Sequence, residues 1–265
     1  VEGLNEKGLS AGLFYFPGYG KYEDYCPSLK ESSIADLQLV PYILGCCSTV
    51  DEVIKAVEAV HVHNIDPRAS TAHWRFADPS GRQVVLEIID EKCVFYENTL
   101  GVLTNSPSFD WQLTNLNNYV NLKSGAVTEN TVGSLELHSF GGGSGMLGLP
   151  GDFTPPSRFV RAAFFQATAP KLPDADKTVI QAFHILNNFD LPIGVQTAAG
   201  VTPPDIPSAT QFTTATDLSG RKIYIRTMFN SHIRVVDLSK LNFARVKFRS
   251  ELLDPDHREP VEPLF

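Results

Sequence analysis

Basic residues are the scarce class here: 22 Lys and Arg stand against 30 Asp and Glu, a formal charge of −8. That balance excludes a phosphate-backbone binder, which needs clustered cations, and disfavours an anionic membrane surface. No run approaches the roughly 18 apolar residues of a membrane span, and no basic-then-apolar leader opens the sequence. Nothing recurs at the period of a solenoid, and no tract is of low complexity. Cysteine is sparse at four, too few to fix a redox compartment. Cys46 and Cys47 are adjacent and cannot easily pair with each other. Their apolar surroundings, and those of Cys93, predict buried thiols. The compartment therefore stays open between cytoplasmic and periplasmic or secreted.

What is present suffices for a large core: 265 residues make one large or two small domains. Ile34, Leu37, Val40, Leu44 and Cys47 recur at helical spacing and predict a helix over 34–47. A Ser/Thr-x-x-Asp/Glu cap within 48–52 then opens a second helix carrying Val53, Ile54, Val57 and Val60. Ala72, Trp74 and Phe76 alternate in a half-buried strand, and strands over 84–89, 93–97 and 100–104 continue an antiparallel meander. A long Gly-, Ser- and Thr-rich loop spans 123–153. Helices follow over 158–168 and 177–189, the latter with Val179, Ile180, Phe183 and Leu186 inward. An extended Pro-rich stretch over 198–207 leads to strands at 210–216, 222–229 and 233–238. Helix pairs alternating with meanders predict an α+β fold, a four-layer α/β/β/α sandwich of two antiparallel sheets. A two-layer α+β domain is the plainer alternative.

Two segments carry chemistry. Gly101-Val-Leu-Thr-Asn-Ser-Pro107 ends an apolar run by pushing the Asn105 carboxamide into a turn. Gly148-Leu-Pro-Gly-Asp-Phe-Thr-Pro-Pro-Ser-Arg158 is a Gly/Pro loop delivering a cation at the first turn of a helix. A neutral donor and a fixed guanidinium are supporting parts of an amide-hydrolysing site, and no nucleophile stands beside them. Plain structural roles compete: Asn105 as a turn residue, Arg158 as an ion-pair partner, Tyr15 as core. Phe14, Phe16 and Tyr19 offer an apolar acyl pocket, or simply packing. His61, His63 and His73 lack the spacing and partners of a metal site, and His184 reads as structural. Cys26 lies in a Pro-flanked loop with no supporting motif. Gly141-Gly-Gly-Ser-Gly145 lacks the Gly-Lys-Ser/Thr ending of a phosphate loop and reads as flexible or as an oligomer contact. No cofactor is called for.

At Asn5-Glu-Lys-Gly-Leu9, Gly101 to Pro107, Phe109-Asp-Trp111, Thr114-Asn-Leu116, Gly148 to Asp152, Ser157-Arg-Phe-Val-Arg161 and Phe183-His-Ile-Leu-Asn187 the chain resembles the choloylglycine hydrolase family. That family includes bile salt hydrolases and penicillin V acylases. The motifs run in family order to about residue 190, and the match is loose from the Pro-rich stretch onward. The resemblance implies the N-terminal-nucleophile hydrolase sandwich and cleavage of linear non-peptide amides by an N-terminal cysteine. It implies that Asn105 donates its side-chain amide to the oxyanion and that the Tyr15 N–H is the second donor. Arg158 would stand close to the sulfur. It also implies a homo-oligomer, a tetramer in many members, with the loop at 123–145 as a contact.

The family's N-terminal Cys, and the Arg and Asp that follow it, would lie upstream of Val1. We therefore expect residues 1–265 to form a single hydrolase domain without its first strands, the nucleophile lying on a preceding or separate segment. The same departure admits a second class, an inactive fragment or binding and assembly module. Tyr15, where bile salt hydrolases tend to carry asparagine, points to a penicillin V acylase. Bile salt hydrolysis and N-acyl homoserine lactone cleavage are the alternatives, because an apolar acyl pocket discriminates weakly.

Overall fold

A computed structural model describes residues 1–64, 66, 70–197 and 209–265. The Pro-rich stretch expected over 198–207 lies outside the described residues. In chain order the elements begin with β1 (Glu2–Leu4), β2 (Ser10–Tyr15), β3 (Ser33–Ala35), α1 (Leu39–Cys46), α2 (Val50–Glu58) and β4 (His61–His63). The meander follows as β5 (Ala72–Ala77), β6 (Gln83–Ile89) and β7 (Lys92–Glu97), then α3 (Phe109–Asn115), β8 (Asn130–Val132) and β9 (Leu135–Leu137). The chain continues through α4 (Pro155–Thr168), α5 (Ala175–Leu186), β10 (Phe212–Asp217), β11 (Lys222–Thr227) and β12 (Asn230–Asp237).

One antiparallel sheet runs β1-β2-β5-β6-β7 and a second runs β10-β11-β12. Alternation sorts the first sheet into two faces. Trp74, Phe76, Val84, Leu86 and Ile88 point to one side and bury against α1 and α2 through Leu39, Val40, Ile43, Val50, Val53 and Val57. The opposite face offers Val85 and Tyr96 to Val102, Phe109, Phe159 and Ala163. On the second sheet, α5 packs on β10. The predicted α/β/β/α class is the one found. The two sheets meet where Gly8 passes the β10–β11 turn. Gly8 has φ +87°, and a Cβ there would lie 2.5 Å from the Leu218 carbonyl oxygen. Glycine is thus required twice at this point, for the backbone angle and for the close approach.

Start signals act as the sequence suggests. The Thr49 hydroxyl accepts from Glu52 N–H at 3.3 Å to cap α2, and the Glu52 carboxylate returns to the Ser48 N–H at 2.6 Å. Asp78, in the turn before β6, adds a second cap by accepting from Val50 N–H at 2.9 Å.

Several expectations need correction. Residues 34–47 are not one helix. Ser33–Ala35 pairs in parallel with His61–His63, and the α-helix begins only at Leu39. Pro41 explains this: a helix starting at residue 34 would hold a proline in its interior, whereas from Leu39 it falls in the tolerated first turn. Residues 100–104 are not a strand either. The Asn98 side chain accepts from Gly101 N–H at 2.9 Å and Val102 N–H at 3.3 Å and donates to Val102 O at 3.1 Å. A side chain does there what a neighbouring strand would do. Ile180 faces outward, because Val179 and Phe183, four apart, already define the buried face of α5. Cys46, at the end of α1, and Cys93, on the edge strand β7, are exposed; only Cys47 is buried. The loop over 123–153 contains the β8–β9 hairpin and a 3-10 turn at Ser144–Met146.

Candidate active site

The Asn105 carboxamide sits at the centre of the site. Its Nδ2 donates to the Tyr15 carbonyl at 2.7 Å, and its Oδ1 accepts from Arg158 Nη2 at 2.7 Å. The three residues predicted to act together, far apart in sequence, are therefore directly linked. A carboxamide nitrogen carries two hydrogens, and the bond to Tyr15 O uses one. Among the described residues the second has no acceptor, which leaves it open to a reacting group.

Backbone alternation places a second donor beside it. Phe16 N–H bonds to Thr71 O just before β5, while Leu13 N–H bonds to Val1 O on the other edge of β2. Successive residues of an antiparallel strand turn their N–H groups to opposite edges, so the Tyr15 N–H points with that of Leu13. It lies on the edge where Asn105 reaches the Tyr15 carbonyl. The Tyr15 side chain itself is 58% exposed.

Arg158 owes its position to the helix start. Thr154 is the N-cap of α4, Pro155 and Pro156 occupy the first helical positions, and Arg158 N–H closes the first turn on Thr154 O at 2.9 Å. The guanidinium is held a second time by Nε donating to Phe153 O at 3.0 Å. Burial, and after it the charge of Arg161, weakens its hold on its proton relative to an ordinary arginine. An arginine starts so high that it stays charged regardless. Asp152 supports the loop by accepting from Ser157 Oγ, Thr154 Oγ1 and Thr154 N–H. Those bonds lower its carboxyl pKa to about 2.

Arg161 belongs to the Ser157-Arg-Phe-Val-Arg161 motif, yet nothing in the sequence alone marks its role. Its Nη1 donates to Pro150 O at 2.8 Å and Asp152 O at 2.6 Å, and the guanidinium lies over the rings of Phe153 and Phe189. It fastens the loop that delivers Arg158. Arg158 and Thr104 also border a cavity of about 720 Å³ between α4, α5 and β10. Gln112, which no sequence motif singles out, donates from Nε2 to Asn105 O at 3.3 Å.

The three aromatics expected to line an acyl pocket separate. Phe14 is half-buried and Tyr19 is 48% exposed, so both present ring surface. Phe16 is fully buried, its ring stacked on His73 at 4.4 Å between centroids, and gives no surface to a ligand. Of the histidines, His61 contacts Glu23 Oε1 and His63 the Glu23 carbonyl. His73 is buried beneath Phe16, and His184 is exposed on α5.

Comparison with known proteins agrees with this geometry. The family described as linear amide C–N hydrolases, choloylglycine hydrolase family, matches residues 1–261. The chain is 35% identical over 246 residues to a bile salt hydrolase/transferase of Clostridium perfringens, covering 91% of this chain and 73% of that protein. It is 28% identical over 265 residues to a penicillin V acylase of Pectobacterium atrosepticum, covering 92% and 63%. Among solved structures, a variant of the conjugated bile acid hydrolase of Clostridium perfringens superposes with TM-score 0.86 at 31% identity, over 100% of this chain and 80% of that one. A penicillin V acylase of Agrobacterium tumefaciens superposes with TM-score 0.69 at 25% identity, over 91% and 67%. The chain belongs to the choloylglycine hydrolase family of linear amide C–N hydrolases.

Proposed function

We propose that this protein hydrolyses the amide bond of conjugated bile acids. The observation that carries the choice is the gradient of similarity. Identity is 35% and TM-score 0.86 towards bile salt and bile acid hydrolases, against 28% and 0.69 towards penicillin V acylases. The preference for penicillin V that Tyr15 suggested is thereby reversed. Only the Tyr15 backbone meets Asn105, so its side-chain identity is a weak guide to substrate.

The reaction proceeds through a covalent acyl-enzyme. The nucleophile is the N-terminal cysteine that the family resemblance implies, which the same resemblance sets close to Arg158. Its α-amine, with an ordinary pKa of about 7.7–8.0, takes the thiol proton. The Arg158 charge favours the resulting thiolate. Sulfur attacks the amide carbonyl carbon, and the carbonyl π electrons move to oxygen. That oxyanion is met by the free hydrogen of Asn105 Nδ2 and the Tyr15 N–H. Collapse expels the amine, which leaves with the proton held by the α-amine. Water then cleaves the thioester, releasing the carboxylic acid and restoring the thiol. Phe14 and Tyr19 supply apolar surface for the acyl part.

The test is a comparison of kcat/KM of the full-length gene product on glycocholate and penicillin V. Faster glycocholate cleavage is expected; faster penicillin V cleavage overturns the assignment.

A further inference from the structure

His73 on β5 and Glu87 on β6 are both completely buried, on the sheet face turned away from α1 and α2. His73 Nδ1 and Glu87 Oε1 lie 3.0 Å apart. His73 Nε2 is 3.2 Å from Thr104 O, and Phe109 N–H donates to Glu87 Oε1 at 2.9 Å. A carbonyl oxygen only accepts, so Nε2 carries a proton. The second carboxylate oxygen, Glu87 Oε2, is buried without a hydrogen-bond partner among the described residues. Burying two ionisable groups with one oxygen unsatisfied costs stability, so packing alone does not account for the pair.

Its contacts point to another purpose. Thr104 and Phe109 are the two ends of the segment that carries Asn105, and the pair holds one end through its imidazole and the other through its carboxylate. Phe16, stacked on the same imidazole, follows Tyr15 directly. The backbone presenting each expected oxyanion donor thus rests on one histidine.

We propose that His73 and Glu87 are positioning residues that clasp residues 104–109 and so aim the Asn105 carboxamide at the reacting carbonyl. The proposal deepens the hydrolase reading and rests on it for its kinetic consequences. A carboxamide misplaced by about 1 Å can cost up to about a hundredfold in rate, so His73→Phe, which keeps the stack but loses both hydrogen bonds, should lower kcat about tenfold to a hundredfold. KM for glycocholate should stay within about twofold, because donors that act on the oxyanion do not hold the ground state. In an Asn105→Ala background the same substitution should lower kcat less than about twofold, since the group it aims is gone. Glu87→Gln keeps an oxygen acceptor for Phe109 N–H and should retain most of the kcat that Glu87→Ala loses. Equal losses from His73→Phe in both backgrounds would overturn the proposal, as would an unchanged kcat.

Two readouts do not depend on turnover or on the stability of a variant's activity. In the unaltered protein, nitrogen-15 NMR should show a proton bound to His73 Nε2; a bare Nε2 removes the contact to Thr104. If the protein leaves glycocholate intact, the bile-acid reading fails by itself. The clasp is then judged by exchange of the Asn105 side-chain protons. At least about tenfold faster exchange in His73→Phe supports it, and unchanged exchange overturns it.

Discussion

Arg158 makes two hydrogen bonds from different nitrogens, Nη2 to the Asn105 carboxamide and Nε to the Phe153 carbonyl. Lysine offers a point charge on a flexible stem and cannot reproduce that fork. Arg158→Lys should therefore keep the charge, lose one anchor, and lower kcat on glycocholate by about tenfold, the equivalent of about 1.4 kcal/mol. A steady-state comparison checks this, and full activity would assign Arg158 to charge alone. Asp152 gives a pH prediction. Hydrogen bonds from Ser157 and Thr154 lower its carboxyl pKa from 3.8 to about 2 in the folded protein. A depressed folded pKa contributes stability that is present above the unfolded value and lost as pH falls through the folded one. Asp152→Asn should therefore narrow the stability difference between pH 5 and pH 2 in urea melts. An unaltered acid limb would show that its carboxylate is not engaged.

At the level of elements, the site depends on one helix start and one buried seam. The α4 start is set by Thr154, Pro155 and Pro156, and its register on the five-stranded sheet by Phe159, which is fully buried against Phe109 with ring centroids 6.1 Å apart. Phe159→Ala should cost about 3–5 kcal/mol in denaturant unfolding, because a buried aromatic leaves both lost transfer energy and a cavity. Thr49→Ala, which removes the α2 cap far from the site, should cost about 1 kcal/mol and leave kcat unchanged. These elements were largely legible in the sequence. Period-two alternation found β5 and β6, the cap over 48–52 found α2, and the Gly/Pro loop located the start of α4. The failures share a cause. Pro41 and Asn98 act through local effects that override periodicity, which by itself predicts a helix through 34–38 and a strand through 100–104. The outward turn of Ile180 depends on which face of α5 meets β10, a tertiary fact that its apolar neighbours do not encode.

Across the whole molecule, the site was legible as a set of residues and illegible as a network. Asn105, Arg158 and Tyr15 stand out through turn chemistry, loop composition and family resemblance. Their junction arises only when β2, the 101–107 segment and α4 are folded against one another. Two of its supports left a signal in the sequence: Glu87 is a lone carboxylate inside Val84-Val-Leu-Glu-Ile-Ile89, and His73 lies between Ala72 and Trp74 on a strand that alternates apolar residues. An ionisable residue amid a core strand needs a partner, and each is the other's. The joint between the two sheets is equally specific. Gly8→Ala would strain a φ of +87° and drive a Cβ against Leu218 O, so it should lower stability by more than about 1 kcal/mol. The most direct trial of the account is the turnover of glycocholate by the full-length gene product carrying Asn105→Ala. Loss of an oxyanion donor predicts a kcat reduced by about 10²–10³ with Tm changed by no more than a few degrees. A kcat equal to that of the unaltered protein would contradict the account.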